Sequence, residues 1–311
     1  MKLEVRDPAL LEAIPQDAQL EQLETDFSFV EGPIWHPSEH WLMFSDIPES
    51  VQYLWREEEG LAVFRTPSNM SNGNCFDRQG RIISCEHGTS SVIRHENDGK
   101  VCTPIATHHQ GLALNSPNDV VVDSAGRIYF TDPVFGRQDH PMKVGYPRAF
   151  ELDVSGVYRL DPDGSLHLLA DDFQQPNGLC LSVDETRLFV SDTPGFHIRV
   201  FDRADDGSVS GGAVWAPVEG DHIDDQGKKW VPDGLKTSLG GHILSSGPGG
   251  IHIFSPEGAC LGVMLMPEKS ANFCFGGADR DWLYVTASTS LYRVKTNMQG
   301  PPAFLSKSAG L

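Results

Sequence analysis

The sequence contains no apolar run near the roughly 20 residues that a membrane-spanning helix needs, which argues against a helical membrane protein. Basic residues are few: 24 Lys and Arg stand against 43 Asp and Glu, a formal net charge of −19. A surface this acidic repels nucleic-acid phosphates and anionic lipid headgroups, so we expect neither nucleic acid nor membrane as a partner. The first 20 residues lack the apolar core of a secretory signal, and we therefore expect a cytoplasmic protein.

Several sequence signatures of catalysis are absent as well. No Gly-x-Ser-x-Gly elbow, P-loop or dinucleotide-binding Gly-x-Gly-x-x-Gly pattern occurs in the 311 residues. The six cysteines form no Cys-x-x-Cys pair and lie among apolar neighbours, which is typical of reduced, buried thiols. Covalent catalysis by serine or cysteine is therefore disfavoured.

A repeated pattern of short strands runs along most of the chain. Glycine (31 residues) and proline (21 residues) are frequent, and they fall in turns between apolar segments. Six times a polar residue begins a mostly apolar strand, and a turn and a second strand follow. The polar residues that begin these strands are Glu31, Asn72, Asn118, Asn177, Asp233 and Asn272. A third strand, and usually a fourth, completes each copy, which predicts a four-stranded antiparallel sheet.

Six such sheets, without a long helical stretch between them, predict an all-β protein: a six-bladed β-propeller with four-stranded antiparallel blades around a central channel. Two stacked sandwiches are the alternative, but a sandwich gives no reason for a polar residue at the head of every fourth strand. The expected organisation is an N-terminal extension, residues 1–25, packed on a single propeller domain, residues 26–311. The apolar residues of the extension fit either a short helix or a closing strand.

The six polar residues form a ring at one end of the channel if the first strand of each blade is innermost. Two carboxylates and four amides supply only oxygen ligands, which suit a hard divalent cation such as Ca²⁺. The ring contains no imidazole or thiolate, so a structural tetrahedral zinc site is disfavoured. The alternative interpretation is that these residues only satisfy the turns at which the strands begin.

The ends of the second strands belong at the same mouth, because the first two strands of a blade are antiparallel. The residues at these ends are Asp46, Glu86, His87, Asp132, Asp192 and Ser246. They either orient the ring side chains or close the next turn. His87 is the histidine among them, and it contacts substrate, moves protons or serves the structure alone. The long connection over residues 133–154 is expected to cross the mouth as a lid.

The ordered set of motifs resembles the senescence marker protein, gluconolactonase and luciferin-regenerating-enzyme family, in its bacterial, sugar-lactonase form. The segments that carry the resemblance are Phe29-Val-Glu-Gly-Pro-Ile-Trp35, Ser116-Pro-Asn-Asp119, Tyr129-Phe-Thr-Asp-Pro133, Pro176-Asn-Gly178, Val231-Pro-Asp-Gly234 and Phe275-Gly-Gly-Ala-Asp279. These segments extend from the first blade to the last, so the resemblance covers nearly the whole chain.

The resemblance implies a six-bladed propeller with one divalent metal in its channel and an activity on sugar lactones. Glu31, Asn177 and Asp233 match the family's metal ligands, and Asn118 matches a position that binds the metal or the substrate. Animal gluconolactonases have Arg where this chain has Ser116, and the difference favours the bacterial branch. Ca²⁺ is the expected ion, with Zn²⁺, Mn²⁺, Mg²⁺ and Fe²⁺ as alternatives.

We therefore expect a lactonase in which the cation polarises the ester carbonyl and Asp233 helps to activate water, with Asn118 as a second catalytic residue. Substrate contacts are expected from Asn118, Asn72, His87, Arg148 and Asn272. Two alternatives stay open: hydrolysis of organophosphates or fluorophosphates at the same metal site, and a non-enzymatic scaffold with a structural ion. The sequence indicates neither the particular lactone nor the oligomeric state.

Overall fold

The computed structural model describes residues 1–96, 99, 101–224 and 227–302. Across these ranges the regular structure consists of 27 strands, one four-residue α-helix and one three-residue 3₁₀ turn. Six sheets of antiparallel strands follow one another along the chain as the blades of a propeller. The predicted six-bladed β-propeller is confirmed, and the sandwich alternative is wrong. No helix in the described ranges has the length and apolar character needed to cross a bilayer.

The first 24 residues contain two strands and the helix. Their bounds are β1 (Lys2–Val5), α1 (Leu10–Ala13) and β2 (Leu20–Glu24). Blade 1 contains β3 (Val30–His36), β4 (Trp41–Asp46), β5 (Val51–Arg56) and β6 (Gly60–Arg65). Blade 2 contains β7 (Ser71–Phe76), β8 (Ile82–Glu86), β9 (Ser91–Glu96) and β10 (Val101–Ala106).

The later blades repeat this arrangement. A small hairpin, β11 (His108–His109) and β12 (Leu112–Ala113), leads into blade 3, which contains β13 (Val120–Val122), β14 (Ile128–Asp132), β15 (Ser155–Leu160) and β16 (Leu166–Phe173). Blade 4 contains β17 (Pro176–Leu181), β18 (Arg187–Asp192), β19 (His197–Arg203) and β20 (Val209–Pro217). Blade 5 contains β21 (Leu235–Thr237), β22 (Ile243–Gly247), β23 (Gly250–Phe254) and β24 (Cys260–Leu265). Blade 6 contains β25 (Ser270–Gly276), β26 (Trp282–Ala287) and β27 (Ser290–Lys295).

Residues from the start of the chain complete the last two blades. Strand β2 pairs antiparallel with β27 and becomes the fourth strand of blade 6, while β1 adds a fifth strand to blade 5 beside β24. Between these strands Leu10 and Ile14 are fully buried in the core shared by blades 5 and 6. The first residues therefore form both the helix and the closing strands that the sequence left as alternatives. The division into residues 1–25 and 26–311 stays a prediction.

In four of the blades, the inner strand has a β-bulge close to the polar residue near its start. In β3 the register with β4 shifts between Glu31 and Ile34, and β7, β17 and β25 have equivalent shifts. Gly32 follows Glu31 with φ +58°, and a Cβ there would lie 2.0 Å from the carbonyl oxygen of Asn72 in the next blade. A bulge re-aims the side chain beside it, and glycine lets two backbones approach closely. This close approach of neighbouring backbones explains why glycine follows the polar residue in the Glu-Gly and Asn-Gly pairs of the repeat.

Cysteine plays no covalent part in this architecture. All six cysteines lie in described residues and all are free thiols, as the sequence predicts. Cys85, Cys180 and Cys274 are buried, whereas the other three are partly exposed. The blades are therefore held together by non-covalent contacts, among them strand pairing and apolar packing.

Candidate functional site

A pocket of about 80 Å³ lies at the mouth of the channel where the inner strands begin. Five of the six ring residues line it, together with the histidine predicted at the end of a second strand. These six residues are Glu31, Asn72, His87, Asn118, Asn177 and Asp233. The propeller thus brings side chains from five blades into one small space.

Two carboxyl groups face each other in this pocket. Glu31 and Asp233 are 3% and 7% exposed, and they hydrogen-bond to each other. Burial raises the pKa of Glu31 well above its usual value, and the charges of Asp233 and Asp119 raise it further. Burial also raises the pKa of Asp233 to about 6, although Lys269, whose Nζ lies 3.7 Å from Oδ2, acts in the opposite direction. The site is therefore short of positive charge, and bringing a cation to it is favourable.

Two amides complete the group. The Nδ2 of Asn177 donates to Thr193 Oγ1 at 3.0 Å, and that hydroxyl donates to the carbonyl of Pro232 at 2.8 Å. This chain fixes the orientation of the amide and leaves its oxygen free to bind a ligand. The Asn118 carbonyl accepts the N–H of Gly73 at 2.8 Å, while its side chain makes no hydrogen bond to any residue of the described ranges. Both amides can therefore offer an oxygen to the pocket.

His87 lies in the wall of the pocket and is almost fully buried. Its Nδ1 is 2.7 Å from the carbonyl oxygen of Val144, and its Nε2 is 3.3 Å from the amide nitrogen of Asn72. Burial lowers the pKa of His87 to about 4, and the charge of Arg148 acts in the same direction. The imidazole is therefore neutral at physiological pH.

The connection between β14 and β15 covers this mouth. Phe135, His140, Met142 and Val144 from this segment line the pocket, so it forms the lid expected from its length. The buried Arg137 holds it in place, donating from Nε to the Asn115 carbonyl at 2.8 Å and from Nη2 to the Leu114 carbonyl at 2.6 Å. The lid is thus an ordered wall that narrows the pocket.

Arg148, which we predict to contact substrate, is bound to other groups of the protein. Its Nη2 donates to the carbonyl of His87 and to Ser90 Oγ, both at 2.6 Å, and its Nη1 donates to the carbonyl of Tyr146 at 3.1 Å. It is not among the residues that line the pocket. A direct contact between Arg148 and substrate stays a prediction, while the structure gives Arg148 a role in tying the lid to blade 2.

Asn272, the sixth ring residue, is not among the residues that line the pocket. Its Oδ1 accepts a hydrogen bond from Lys236 Nζ at 3.0 Å, and its Nδ2 donates to Asp119 Oδ2 at 3.3 Å. Lys236 Nζ also lies 3.4 Å from Asp119 Oδ2. We call Asp119, Lys236 and Asn272 the channel triad. A substrate contact by Asn272 stays a prediction.

None of the four carboxylates at the ends of the second strands lines the pocket. Glu86 pairs with Arg65 at 2.7 Å, whereas the three aspartates bind backbone N–H groups. Asp46 accepts the N–H groups of Ser28 at 3.0 Å and Phe29 at 3.1 Å, just ahead of the inner strand of its own blade. Asp132 and Asp192 bind backbone N–H groups at the equivalent places in blades 3 and 4. Of the two roles considered, these contacts favour the closing of turns.

Sequence reasoning missed several residues of the rim. Lys269 lines the pocket, as do the apolar side chains of Phe29 and Val231. Each stands two or three places before a ring position, on the segment that enters the inner strand. The repeat itself could have identified them, because residues that precede equivalent positions must surround the same mouth.

A propeller whose lidded channel mouth holds two facing carboxyl groups, two free amides and a neutral histidine has the equipment of a hydrolytic enzyme. Residues 29–289 match the model of the family described as the SMP-30/Gluconolactonase/LRE-like region. The chain belongs to this family.

The individual relatives agree with this assignment. The gluconolactonase of Zymomonas mobilis is 30% identical, over 94% of this chain and 85% of that protein. The pentonolactonase XacC of Haloferax volcanii is 27% identical, over 86% of this chain and 84% of that protein. The structure of XC5397, a gluconolactonase of Xanthomonas campestris, superposes with a TM-score of 0.86 at 33% identity, covering 95% of each chain. The expectations of this family and of an enzyme of the lactonase class are confirmed.

Proposed function

We propose that the protein hydrolyses a sugar lactone in the lidded pocket, with one divalent cation bound by Glu31, Asp233, Asn118 and Asn177. The observation that carries the proposal is the pair of buried, facing carboxyl groups beside two amides whose oxygens are available. The relatives named gluconolactonase and pentonolactonase, which match the chain along most of its length, support the substrate class.

The donor set fits a hard cation. Carboxylate and amide oxygens are the ligands of Ca²⁺, and two carboxylates balance its charge. The ammonium of Lys269, whose Nζ is 3.7 Å from one oxygen of Asp233, supplies a single positive charge and so balances only part of the charge of two carboxylates. Ca²⁺ is therefore the expected ion, and Zn²⁺, Mn²⁺, Mg²⁺ and Fe²⁺ are the alternatives that a metal analysis must separate.

A divalent cation at this place supplies Lewis acidity to the lactone carbonyl and stabilises the charge that develops on its oxygen. Asp233 orients the attacking water; a carboxylate that binds a cation is a weak base, so orientation is its main contribution. Asn118 fixes the reacting ester group, while Asn72 and His87 line the part of the pocket that receives the substrate. The apolar rim and the lid exclude bulk water. The oxygen of water bonds to the carbonyl carbon, the ring C–O bond breaks, and a hydroxy acid leaves.

The proposal is tested with purified protein of measured metal content. Acid release from glucono-1,5-lactone and from pentonolactones is followed with a pH indicator after chelation and after addition of each candidate cation. We expect ring opening well above the spontaneous rate that is lost on chelation and restored by Ca²⁺. Failure to open any aldonolactone with any of the five cations would contradict the proposal. Faster turnover of a fluorophosphate, or cation binding with no turnover at all, would favour the organophosphatase or the scaffold alternative.

A further inference from the structure

The lid holds one titratable side chain of the pocket in a fixed protonation state. His87 Nδ1 is 2.7 Å from the backbone oxygen of Val144, in the lid. A carbonyl oxygen can only accept a hydrogen bond, so Nδ1 must carry the proton of the neutral ring. Nε2 is then left with its lone pair, which faces the amide nitrogen of Asn72 across 3.3 Å. That contact is longer than a typical N–H···N or N–H···O bond, so a water molecule can compete for Nε2.

The second histidine of the pocket, His140 in the lid, has the opposite arrangement. His140 Nδ1 accepts the backbone N–H of Met142 at 3.3 Å, so the proton of the neutral His140 ring is on Nε2. Burial lowers the pKa of His140 as well. His140 can therefore only donate from Nε2, whereas His87 can accept there. The other ionisable groups that line the pocket are the two carboxyl groups of the proposed cation site and the ammonium of Lys269.

On the basis of the proposed lactonase activity, we propose that His87 is a further catalytic residue whose Nε2 takes the proton of the attacking water. The oxygen of that water forms the bond to the lactone carbonyl carbon as its proton moves to Nε2. The resulting imidazolium then gives this proton to the ring oxygen as the carbon–oxygen bond of the ester breaks. His87 ends neutral, and the product is the hydroxy acid, so atoms and charge balance.

Several charged groups face His87 and decide how it holds this proton. Arg148 binds the His87 carbonyl, and its charge opposes protonation of the ring, as a protonated His140 would. The Val144 carbonyl favours a protonated ring. Glu31 and Asp233 line the same pocket, and the cation of the proposed site balances their charge. The ring is thus neutral at rest, with Nε2 able to accept a proton.

His87→Asn separates proton transfer from the anchoring of the lid. The Asn side-chain nitrogen stands where Nδ1 stands and keeps a donor for Val144, but nothing replaces Nε2. His87→Gln is the reverse substitution, with a polar atom near Nε2 and no donor for Val144. His252→Ala, which removes a fully buried imidazole from blade 5, is the matched control. Thermal unfolding and Ca²⁺ binding are measured for every variant.

We expect His87→Asn to lower kcat about 10²-fold or more, with a KM within a few-fold of wild type and Ca²⁺ binding retained. Its kcat/KM should rise about tenfold per pH unit between pH 6 and 8, because hydroxide must replace the lost acceptor, while the wild-type profile is flat there. A loss below about tenfold, or a pH profile parallel to that of wild type, would overturn the role of His87 and leave the lactonase proposal standing. Absence of lactone hydrolysis in the wild-type enzyme would instead remove the proposed function.

Discussion

The two ends of the channel are built by the same inner strands but have opposite chemistry. The lidded mouth holds the facing carboxyl groups, the amides and His87 around about 80 Å³. The other mouth encloses about 260 Å³ between mostly apolar side chains, with Lys236, Glu185 and a few polar groups; it also has three thiols, Cys75, Cys180 and Cys274. Burial raises the pKa of Cys180 and of Cys274 to about 12, so these thiols stay protonated and unreactive. Of these two cavities, the larger is therefore the less reactive. The chemical reactivity of each mouth depends on which end of the inner strands forms it and not on the volume it encloses.

The channel triad lies between these two ends. Lys236 lines the mouth that contains the three thiols, yet its ammonium contacts Asn272 and Asp119 in the channel. Asp119 in turn contributes negative charge that raises the pKa values of both Glu31 and Asp233. The triad thus links the two mouths electrostatically while filling the space between them.

The largest effect is expected from matched substitutions at the two mouths. Asp233→Asn removes one carboxylate of the proposed cation site and should lower kcat/KM for the best lactone at least 10²-fold without unfolding the protein. Cys180→Ala, at the opposite mouth, should leave kcat/KM within about twofold. Equal effects of the two substitutions in the lactone assay would break the contrast between the mouths.

The next effect concerns the triad that separates the mouths. Lys236→Met leaves the nearly inaccessible Asp119 carboxylate without its cation, and we expect the free energy of unfolding to fall by about 3 kcal/mol. Adding Asp119→Asn in the same chain should recover most of this loss, because no buried charge then remains. Urea unfolding of the two variants measures both values. A double variant as unstable as Lys236→Met would mean that the lost contacts of the Lys236 side chain, and not the unpaired charge of Asp119, cause the destabilisation.

A somewhat smaller effect should follow from cation binding at the lidded mouth. Ca²⁺ at 100 times its dissociation constant should raise the free energy of unfolding by about 2.7 kcal/mol, since only the folded chain assembles the ligands. Glu31→Gln should abolish this increase, whereas Cys75→Ala should keep it. Thermal unfolding with and without Ca²⁺ gives the comparison. An undiminished increase in Glu31→Gln would place the ion elsewhere.

The smallest effect is a pH dependence of stability in the cation-free protein. Folding raises the pKa of Glu31 and of Asp233, so the folded state binds more protons than the unfolded one. Their contribution is complete below the unfolded values near pH 4 and is lost as the pH rises through about 6 and above. We expect roughly 1 to 2 kcal/mol less stability at pH 7.5 than at pH 5, relative to a Glu31→Gln, Asp233→Asn double variant. Identical slopes in the two proteins would show that folding raises the pKa of neither carboxyl group.

Much of the fold and of the site could be predicted because a propeller is periodic. A polar residue at the start of each inner strand is visible in sequence, and the fold turns equivalent positions into neighbours. Glu31, Asn177 and Asp233 came together for this reason, as did His87 at the end of a second strand. Lys269 was missed since it precedes the ring position on a segment without a strand pattern.

Other features depend on contacts that no local pattern encodes. Residues 2–5 pair with a strand some 260 positions later, and nothing in their own sequence names that partner. Arg148 has the charge of a substrate ligand, but its surroundings in the lid satisfy it with backbone oxygens. The tautomer of His87 follows only from the position of the Val144 carbonyl, which the lid conformation fixes.

The pocket can form only when strand β2 has completed blade 6. Residues near the two termini must meet before the circle of blades shuts, and until then Glu31 of blade 1 has no fixed relation to blade 6 beside it. A chain still emerging from the ribosome consequently has the side chains of the pocket but no pocket. Removing residues 20–24, none of which approaches the lidded mouth, would dismantle it as surely as removing a ligand.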